Sequence, residues 1–329
     1  RIVRGGANPH SSIVVGQVNQ DLLKGNFKKT LKSKETLASA YGLDSSKQWQ
    51  LFVSSFAYCD MDQLQVDMII KYYGASYYQK FKSYSDHCRD SILDWFEQIL
   101  PLRPSTLIIY RPHPDEAAKS ERLKIMQKKY DNFFVISELA IKHWINACDK
   151  TMNWYSTGII DAIILNKPWR LLRPYVLEKG LDYRMMYEAD KIESYEEFVL
   201  DFDDYSCKPI VDNRLVQSYY YIPDDGYVYM RVCDLLEELY HTEKYDISYT
   251  LKEKVQLNSC ILKSKIFRYG KKIISCITSE NTADRLIELF LKQRRQAKLV
   301  LAEGYQKNVV NEEDMKDMYN RLKPIVYGK

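Results

Sequence analysis

Two short motifs in the sequence bring together side chains that bind anions and exchange protons. The first is "RPHP" at residues 111–114, directly after the apolar run "TLIIY". Its two prolines fix the backbone and remove two N–H donors, so a strand cannot continue through them. We therefore expect His113 at a strand end, where an imidazole can donate to a phosphate or a base carbonyl, with Arg111 as a planar fork for phosphate. The plainer interpretation is a turn with a solvated histidine.

The second motif is "YSTG" at residues 155–158, where a strand-like run meets a helical one. Backbone N–H groups are free at the beginning of a helix, and the helix dipole favours an anion there. The hydroxyls of Ser156 and Thr157 add donors, and Gly158 would let a ligand approach the backbone. The alternative is an ordinary helix cap, worth about 1 kcal/mol. The motif lacks the glycines of a Walker loop or of GxGxxG.

The elements around these motifs alternate between strands and helices. Apolar runs rich in strand-forming residues predict strands at 49–56, 105–110, 133–137, 150–156 and 168–174. Between them, amphipathic patterns predict helices at 86–100, 116–130, 138–148 and 157–167. This order predicts an α/β fold, a Rossmann-like parallel sheet with helices on both faces.

In such a sheet every strand ends at the same edge, and ligands bind at that edge. We expect the two motifs on neighbouring strand ends, which suggests a ligand that carries both a phosphate and a base. The residues that follow the first four strands are the candidate site: Ser54 and Ser55, Arg111 and His113, Ser137 and Glu138, and Ser156, Thr157 and Gly158.

The alternation ends near residue 190, which predicts three regions. Residues 1–48 are expected to be a crossover between domains, 49–190 a nucleotide-binding domain, and 191–329 a mostly helical C-terminal extension. The extension would begin with a helix at 194–202, an acidic stretch in a solvated turn at 201–205, a turn at 224–226 and a further helix. Ile13–Val15 resembles a strand without an upstream partner, so we expect an N-terminal domain to be missing.

The composition excludes several classes of protein. With 48 basic and 44 acidic side chains the formal net charge is only +4, too balanced for bulk nucleic-acid binding. We see no run of 18 apolar residues and no signal peptide, which favours a cytoplasmic location. The seven cysteines are scattered and form no CxxC, so we expect reduced thiols and no metal site. Basic C-terminal helices either pack on the body or attach to the inner face of an anionic membrane.

"RPHP", followed about forty residues later by "YSTGIIDAIILNKP", resembles the paired motifs of bacterial GT-B surface-polysaccharide transferases. The similar families are the CDP-glycerol glycerophosphotransferases and the capsule-synthesis Kdo and sialyl transferases. The resemblance implies that His113 and Pro114 contact a cytidine nucleotide and that Ser156 and Thr157 bind phosphate. Asp161 lies where the glycerophosphotransferases often have an acid. "IVVGQVNQDLL" is similar to the GT-B interdomain crossover, whereas "NWYST" replaces the usual "TDYSS".

The resemblance implies a transferase that moves a sugar or alditol phosphate from a CDP- or CMP-linked donor to a capsule, teichoic-acid-like polymer or lipopolysaccharide. The acceptor would be a glycan, free or lipid-linked, held by the missing N-terminal half. His113 and Glu138 are the candidate general acids, and no cofactor or metal is required because Arg111, His113 and the helix at Thr157 can neutralise a phosphate leaving group. Two alternatives remain: a nucleotide-sugar epimerase, which would need a pair of acids in the cleft, and a non-catalytic scaffold domain.

Overall fold

The computed structural model describes residues 13–114, 116, 120–206, 216 and 226–241. Six parallel strands form one sheet in the order β3-β2-β1-β4-β5-β6. The expected α/β, Rossmann-like parallel sheet is therefore confirmed. The strands are β1 Gln48–Val53, β2 Thr106–Arg111, β3 Phe133–Val135, β4 Lys150–Asn153, β5 Trp169–Leu172 and β6 Lys191–Ile192.

Helices connect the strands and cover both faces of the sheet. They are α1 Lys34–Tyr41, α2 Gln63–Tyr73, α3 Ala75–Ile99, α4 Glu121–Lys129, α5 Ile141–Ala147, α6 Ile159–Ile164, α7 Arg184–Tyr187, α8 Tyr195–Phe202 and α9 Val228–His241. The sequence analysis missed α2 and began α3 too late. Gly74, at φ 90°, separates these two helices in a conformation that glycine adopts most readily.

The side chains of the sheet alternate between two apolar layers. Along β1, Leu51 and Val53 join the layer under α1, α5 and α6, which we call the α5 face. Phe52 joins the layer under α3, α4 and α8, which we call the α3 face. Because both faces are covered, β1 is buried from its second residue to its last, as in other parallel sheets. This two-sided burial is why the strands appear in the sequence as continuous apolar runs.

The N-terminal segment corrects one expectation. Ile13–Val15 does not form a strand, and Ile13 and Val14 are 58% and 73% exposed. The chain continues instead through two short 3₁₀ segments, Val18–Leu23 and Gly25–Thr30. The buried carboxylate of Asp21 accepts the N–H groups of Val228 and Tyr229 at 2.9 and 2.8 Å, so it caps the start of α9.

Only part of the acidic stretch at 201–205 is the solvated turn that we expected, since Asp203 is exposed in a turn but Asp201 is not. Asp201 lies in α8, and its carboxylate bridges two buried cations, with Lys150 at 2.7 Å and Arg170 on the other oxygen. Lys150 begins β4, and Arg170 lies in β5. The network therefore fastens α8 to the sheet near the amino ends of these strands. The sheet itself continues past residue 190, since β6 pairs with β5.

The chain divides into two units, Arg1–Cys233 with Arg321–Lys329, and Asp234–Asn320. All the strands that the structure describes belong to the first unit. Of the second unit, the structure describes the end of α9. The helices predicted within residues 250–329, and most of the turn predicted at 224–226, lie outside the described residues. Among the helices that the structure describes, none has the length and apolar character to cross a membrane.

Candidate functional site

The strand order reverses between β1 and β4, so a ligand-binding crevice is expected at the carboxyl ends of these two strands. The chain builds the sheet outward from β1 through β2 to β3, then crosses to the other side of β1 for β4, β5 and β6. Ligands of open α/β sheets bind where the order reverses in this way, here between β1 and β4. The expectation that the two motifs lie on neighbouring strands is wrong. β1 separates β2 from β4, so the strands that carry the motifs are about 10 Å apart.

A buried carboxylate that the sequence analysis missed joins the loops after β1 and β2. Glu116 is fully buried, and one of its oxygens accepts the hydroxyl of Ser54 and the N–H groups of Phe56 at 3.3 Å and His113 at 3.4 Å. The other oxygen accepts the hydroxyl of Tyr110. We had placed residue 116 at the start of a helix, but α4 begins at Glu121. An acid two residues after "HP" was the only signal in the sequence.

Ser54 is consequently not available to a ligand in the way that we expected. Its side chain is buried and donates to Glu116, and its oxygen lies 3.1 Å from the Tyr110 hydroxyl oxygen. Ser55, the next residue, is half-buried and lies at the same edge of the sheet. Of the two serines, Ser55 is the one whose side chain stays a candidate for ligand contact.

Arg111 supports a neighbouring loop. Its guanidinium donates to the carbonyl oxygens of Ile136 at 3.5 Å, Glu138 at 2.7 Å and Leu139, all in the loop between β3 and α5. Leu139 has φ 64°, an uncommon conformation for a non-glycine residue, and these bonds help to hold it. Burial lowers the pKa of Arg111, although an arginine stays charged. A phosphate would therefore have to compete with three carbonyl oxygens for the Arg111 guanidinium.

His113 lies where the sequence placed it, directly after β2. Its imidazole is half-buried, and its main chain is held on both sides, since its N–H donates to Glu116 and its carbonyl accepts the Glu116 N–H at 2.9 Å. Pro114 is exposed beside it. The other candidate acid, Glu138, is exposed, and its carboxylate accepts the N–H of Ser137 at 3.1 Å.

The Ser-Thr-Gly turn uses its donors within itself. Ser156 N–H donates to the Asn153 side chain at 2.7 Å, and Gly158 N–H donates to the Ser156 hydroxyl at 3.2 Å. The N–H groups of Ile160 and Asp161 donate to Thr157 and Gly158 carbonyls, both at 3.1 Å. The free N–H groups that we expected at this helix start are thus largely occupied. Thr157 itself is exposed.

Gly158 and Asp161 have structural roles where we had expected contact with a ligand. A Cβ on Gly158 would lie 3.3 Å from the Ser156 hydroxyl, so the absence of a side chain leaves room for the Ser156 oxygen, which accepts the Gly158 N–H within the turn. Asp161 is buried, and both its oxygens accept from Lys142 of α5 at 2.8 Å. Burial raises the pKa of Asp161, and the Lys142 ammonium opposes that shift.

A fully buried arginine follows β5 at the same edge. Arg173 pairs with Asp182 at 3.1 Å, and its guanidinium lies 5.6 Å from the ring centres of both Trp154 and Tyr155. Its Nε and Nη1 have no hydrogen-bond partner among the described residues, and neither has the amide nitrogen of Asn153 at the end of β4. Buried donors of this kind are normally paired with water or a ligand. The sequence analysis treated "RLLR" only as a strand.

Among the described residues, no group of three or more His, Cys, Asp or Glu side chains could hold a metal ion.

No protein-family model matches the chain, and no curated protein matches it. Solved structures that resemble it include S. aureus MnaA with UDP, at 15% identity over 72% of this chain and 56% of that one, with a TM-score of 0.37. The Methanocaldococcus jannaschii UDP-GlcNAc 2-epimerase with UDP-GlcNAc and UDP matches at 15% identity over 72% and 57%, with a TM-score of 0.40. A variant of the wall teichoic acid polymerase TagF soaked with CDPG matches at 13% identity over 70% of this chain and 52% of that one, with a TM-score of 0.39. The chain thus spans little more than half the length of each of these proteins, and its fold assignment rests on its own strand order.

Proposed function

We propose that this chain is the nucleotide-binding half of a GT-B enzyme that transfers a sugar or alditol phosphate to a bacterial surface polysaccharide. The observation that carries the proposal is the reversal of strand order between β1 and β4. The crevice expected there would be bordered by the loops after β1, β2 and β4, which contain Ser55, His113 and Ser156. A parallel sheet binds nucleotides at such a point, because the loops diverge and leave room for a ligand.

In the proposed complex His113 contributes a hydrogen bond to the nucleotide or its phosphate. A phosphate leaving group gains charge as its bond breaks, and a fixed donor beside it stabilises that charge. His113 is suited to this because its main chain is held by Glu116 on both sides. The side chains of Ser55, Ser156 and Thr157 are the further ligand contacts in this proposal. Arg111 steadies the β3–α5 loop, and Glu138 in that loop remains the second candidate acid.

The cytidine donor, the glycan acceptor and the polymer that is extended are parts of the same proposal. The cytidine assignment rests on the similarity of "RPHP" and "YSTGIIDAIILNKP" to the surface-polysaccharide transferases. The acceptor would be bound by a second half of the enzyme. The chain is expected to hold the donor by itself, even where transfer requires that second half.

Titration calorimetry with CDP, CMP, UDP and GDP tests the proposal. We expect CDP or CMP to bind most tightly and His113→Ala to weaken that binding at least about tenfold, the loss of one good hydrogen bond to a charged group. His87→Ala is the matched control, because His87 is exposed on α3 with its ring 5.2 Å from that of Tyr175. Preference for UDP would replace the cytidine assignment, and no binding of any nucleotide by the folded protein would refute the function.

A further inference from the structure

Glu116 is unusual among the acids of this protein. It is fully buried, and every contact that the structure gives to its carboxylate is a hydrogen-bond donor. A buried carboxylate that accepts several hydrogen bonds is stable in place, whereas the same site without it would leave those donors unsatisfied. The donors belong to two different loops, so the acid does more than cap its own turn.

The arrangement is a junction between the loop after β1 and the loop after β2. Ser54 and Phe56 donate from the first loop, and the His113 N–H donates from the second. Tyr110, in β2, completes the group: its one proton is donated to Glu116, and its oxygen lies 3.1 Å from that of Ser54. Removal of the carboxylate would therefore release both loops at once, and the position of His113 would no longer be fixed relative to β1.

We propose that Glu116 is a positioning residue, which sets the place of His113 at the crevice through the main chain and not through contact with a ligand. The inference deepens the proposed function and rests on it for the role of His113, but the positioning itself can be measured without any nucleotide. In the stretch "RPHPDE", the glutamate two residues after the His-Pro pair therefore supports the loop from inside the protein.

The geometry also says which substitution should be tolerated. In Glu116→Gln the remaining oxygen can keep the three donors Ser54, Phe56 and His113. The new amide can donate to the Tyr110 oxygen, whose proton can then turn to Ser54, 3.1 Å away. Glu116→Ala removes every acceptor. Glutamine should thus rescue what alanine loses, because it keeps an acceptor for the donors of both loops.

The test is the ¹³Cε1–¹H spectrum of the histidine rings in the intact chain. The protein has five histidines, and the His113→Ala spectrum identifies the His113 signal by its absence. We expect Glu116→Ala to shift or broaden the His113 signal while Glu116→Gln leaves it near its wild-type position. In parallel, CDP binding should weaken about tenfold in the alanine variant, the size typical of losing a group that orients a ligand-contacting side chain.

Asp201→Ala is the matched control, because it removes a partly buried, ion-paired carboxylate from the opposite edge of the sheet. It should lower stability without moving the His113 signal. If Glu116→Ala does not fold, Ser54→Ala and Tyr110→Phe each remove one donor from the junction and should shift the same signal by less. An unchanged His113 signal in Glu116→Ala, or in both Ser54→Ala and Tyr110→Phe, would overturn the inference. A shift in Asp201→Ala as large as that in Glu116→Ala would also overturn it. Absence of CDP binding with the expected spectra would refute the proposed function and leave the positioning intact.

Discussion

The ammonium group of Lys142 lies 2.8 Å from both carboxylate oxygens of Asp161. The two side chains join α5 to α6, and each is largely buried, at 13% and 11% exposure. An acid that the sequence similarity associates with the nucleotide site is therefore a support between two helices. This distinction between binding and support can be tested directly.

Asp161→Ala should lower the free energy of unfolding by about 3 kcal/mol, because it leaves the Lys142 charge buried without its partner. CDP affinity should change less than about twofold, since the carboxylate is committed to Lys142. Urea unfolding and calorimetry measure the two quantities. The double variant Lys142→Met with Asp161→Leu is the control and should recover most of the stability. A large loss of CDP affinity in the folded single variant would restore Asp161 to the ligand site.

The stability that Glu116 contributes should depend on pH. Burial raises the pKa of its carboxyl above 4.5, although the hydrogen bonds from Ser54 and Tyr110 oppose the shift. A group with a raised folded-state pKa contributes most below its unfolded pKa, and that contribution is lost as the pH rises through the folded value. Tyr110 faces the carboxyl, and its own pKa is raised by burial, so it stays protonated in this window.

The difference in unfolding free energy between the wild type and Glu116→Gln should therefore be largest near about pH 4 and should fall towards a constant value as the pH rises. Urea titrations of both proteins at a series of pH values measure this difference. A difference that increased with pH would contradict the raised pKa.

Arg173 and Asp182 form a second buried pair that should behave as a unit. Arg173→Met leaves the fully buried Asp182 carboxylate without its cation. We expect the free energy of unfolding to fall by about 3 kcal/mol. Adding Asp182→Asn should return part of that loss, because an amide is less costly to bury than an unpaired charge. Arg184→Met is the control, since its ion pair with Glu188 is at the surface and should contribute less than about 1 kcal/mol. Equal losses in the Arg173 and Arg184 variants would contradict the role given to burial.

Asp201 should hold α8 against the sheet. Asp201→Ala would leave both Lys150 and Arg170 buried without their shared carboxylate. We expect the free energy of unfolding to fall by about 3 kcal/mol or more. Amide hydrogen exchange should show earlier exchange in α8 than in α3, because α8 loses its ionic attachment first. Asp203→Ala is the matched control: its pairing with Arg103 is half-exposed, and its loss should be small. Unchanged exchange in α8 would refute this account of its attachment.

The layered fold could be predicted because burial on both faces leaves a continuous apolar signature in β1 and β2. β6 has two residues, too few for any such pattern. The order of the strands depends on where each crossover returns, which the local sequence does not encode, and so β1 was not expected between the two motifs. The strand order consequently had to come from the structure.

The candidate residues lie at the edge of the sheet where the sequence placed them, but several of them are held by partners within the protein. Ser54 and Asp161 look like ligand contacts only while their partners are unknown, and those partners lie 62 and 19 residues away in the sequence. Glu116 and Asp201 were missed for the same reason, since acids in the sequence give no sign of burial. His113 was placed correctly because the two prolines act locally on the backbone.

The cap that Asp21 places on α9 has a consequence for how the first unit folds. The carboxylate and the N–H groups that it binds are 207 and 208 residues apart. A contact of such sequence separation forms only after the intervening chain has been brought together, and contacts of this kind slow folding. During synthesis, therefore, the start of α9 would acquire its cap late. A chain truncated so that it lacks Asp21 would assemble its sheet with that helix uncapped.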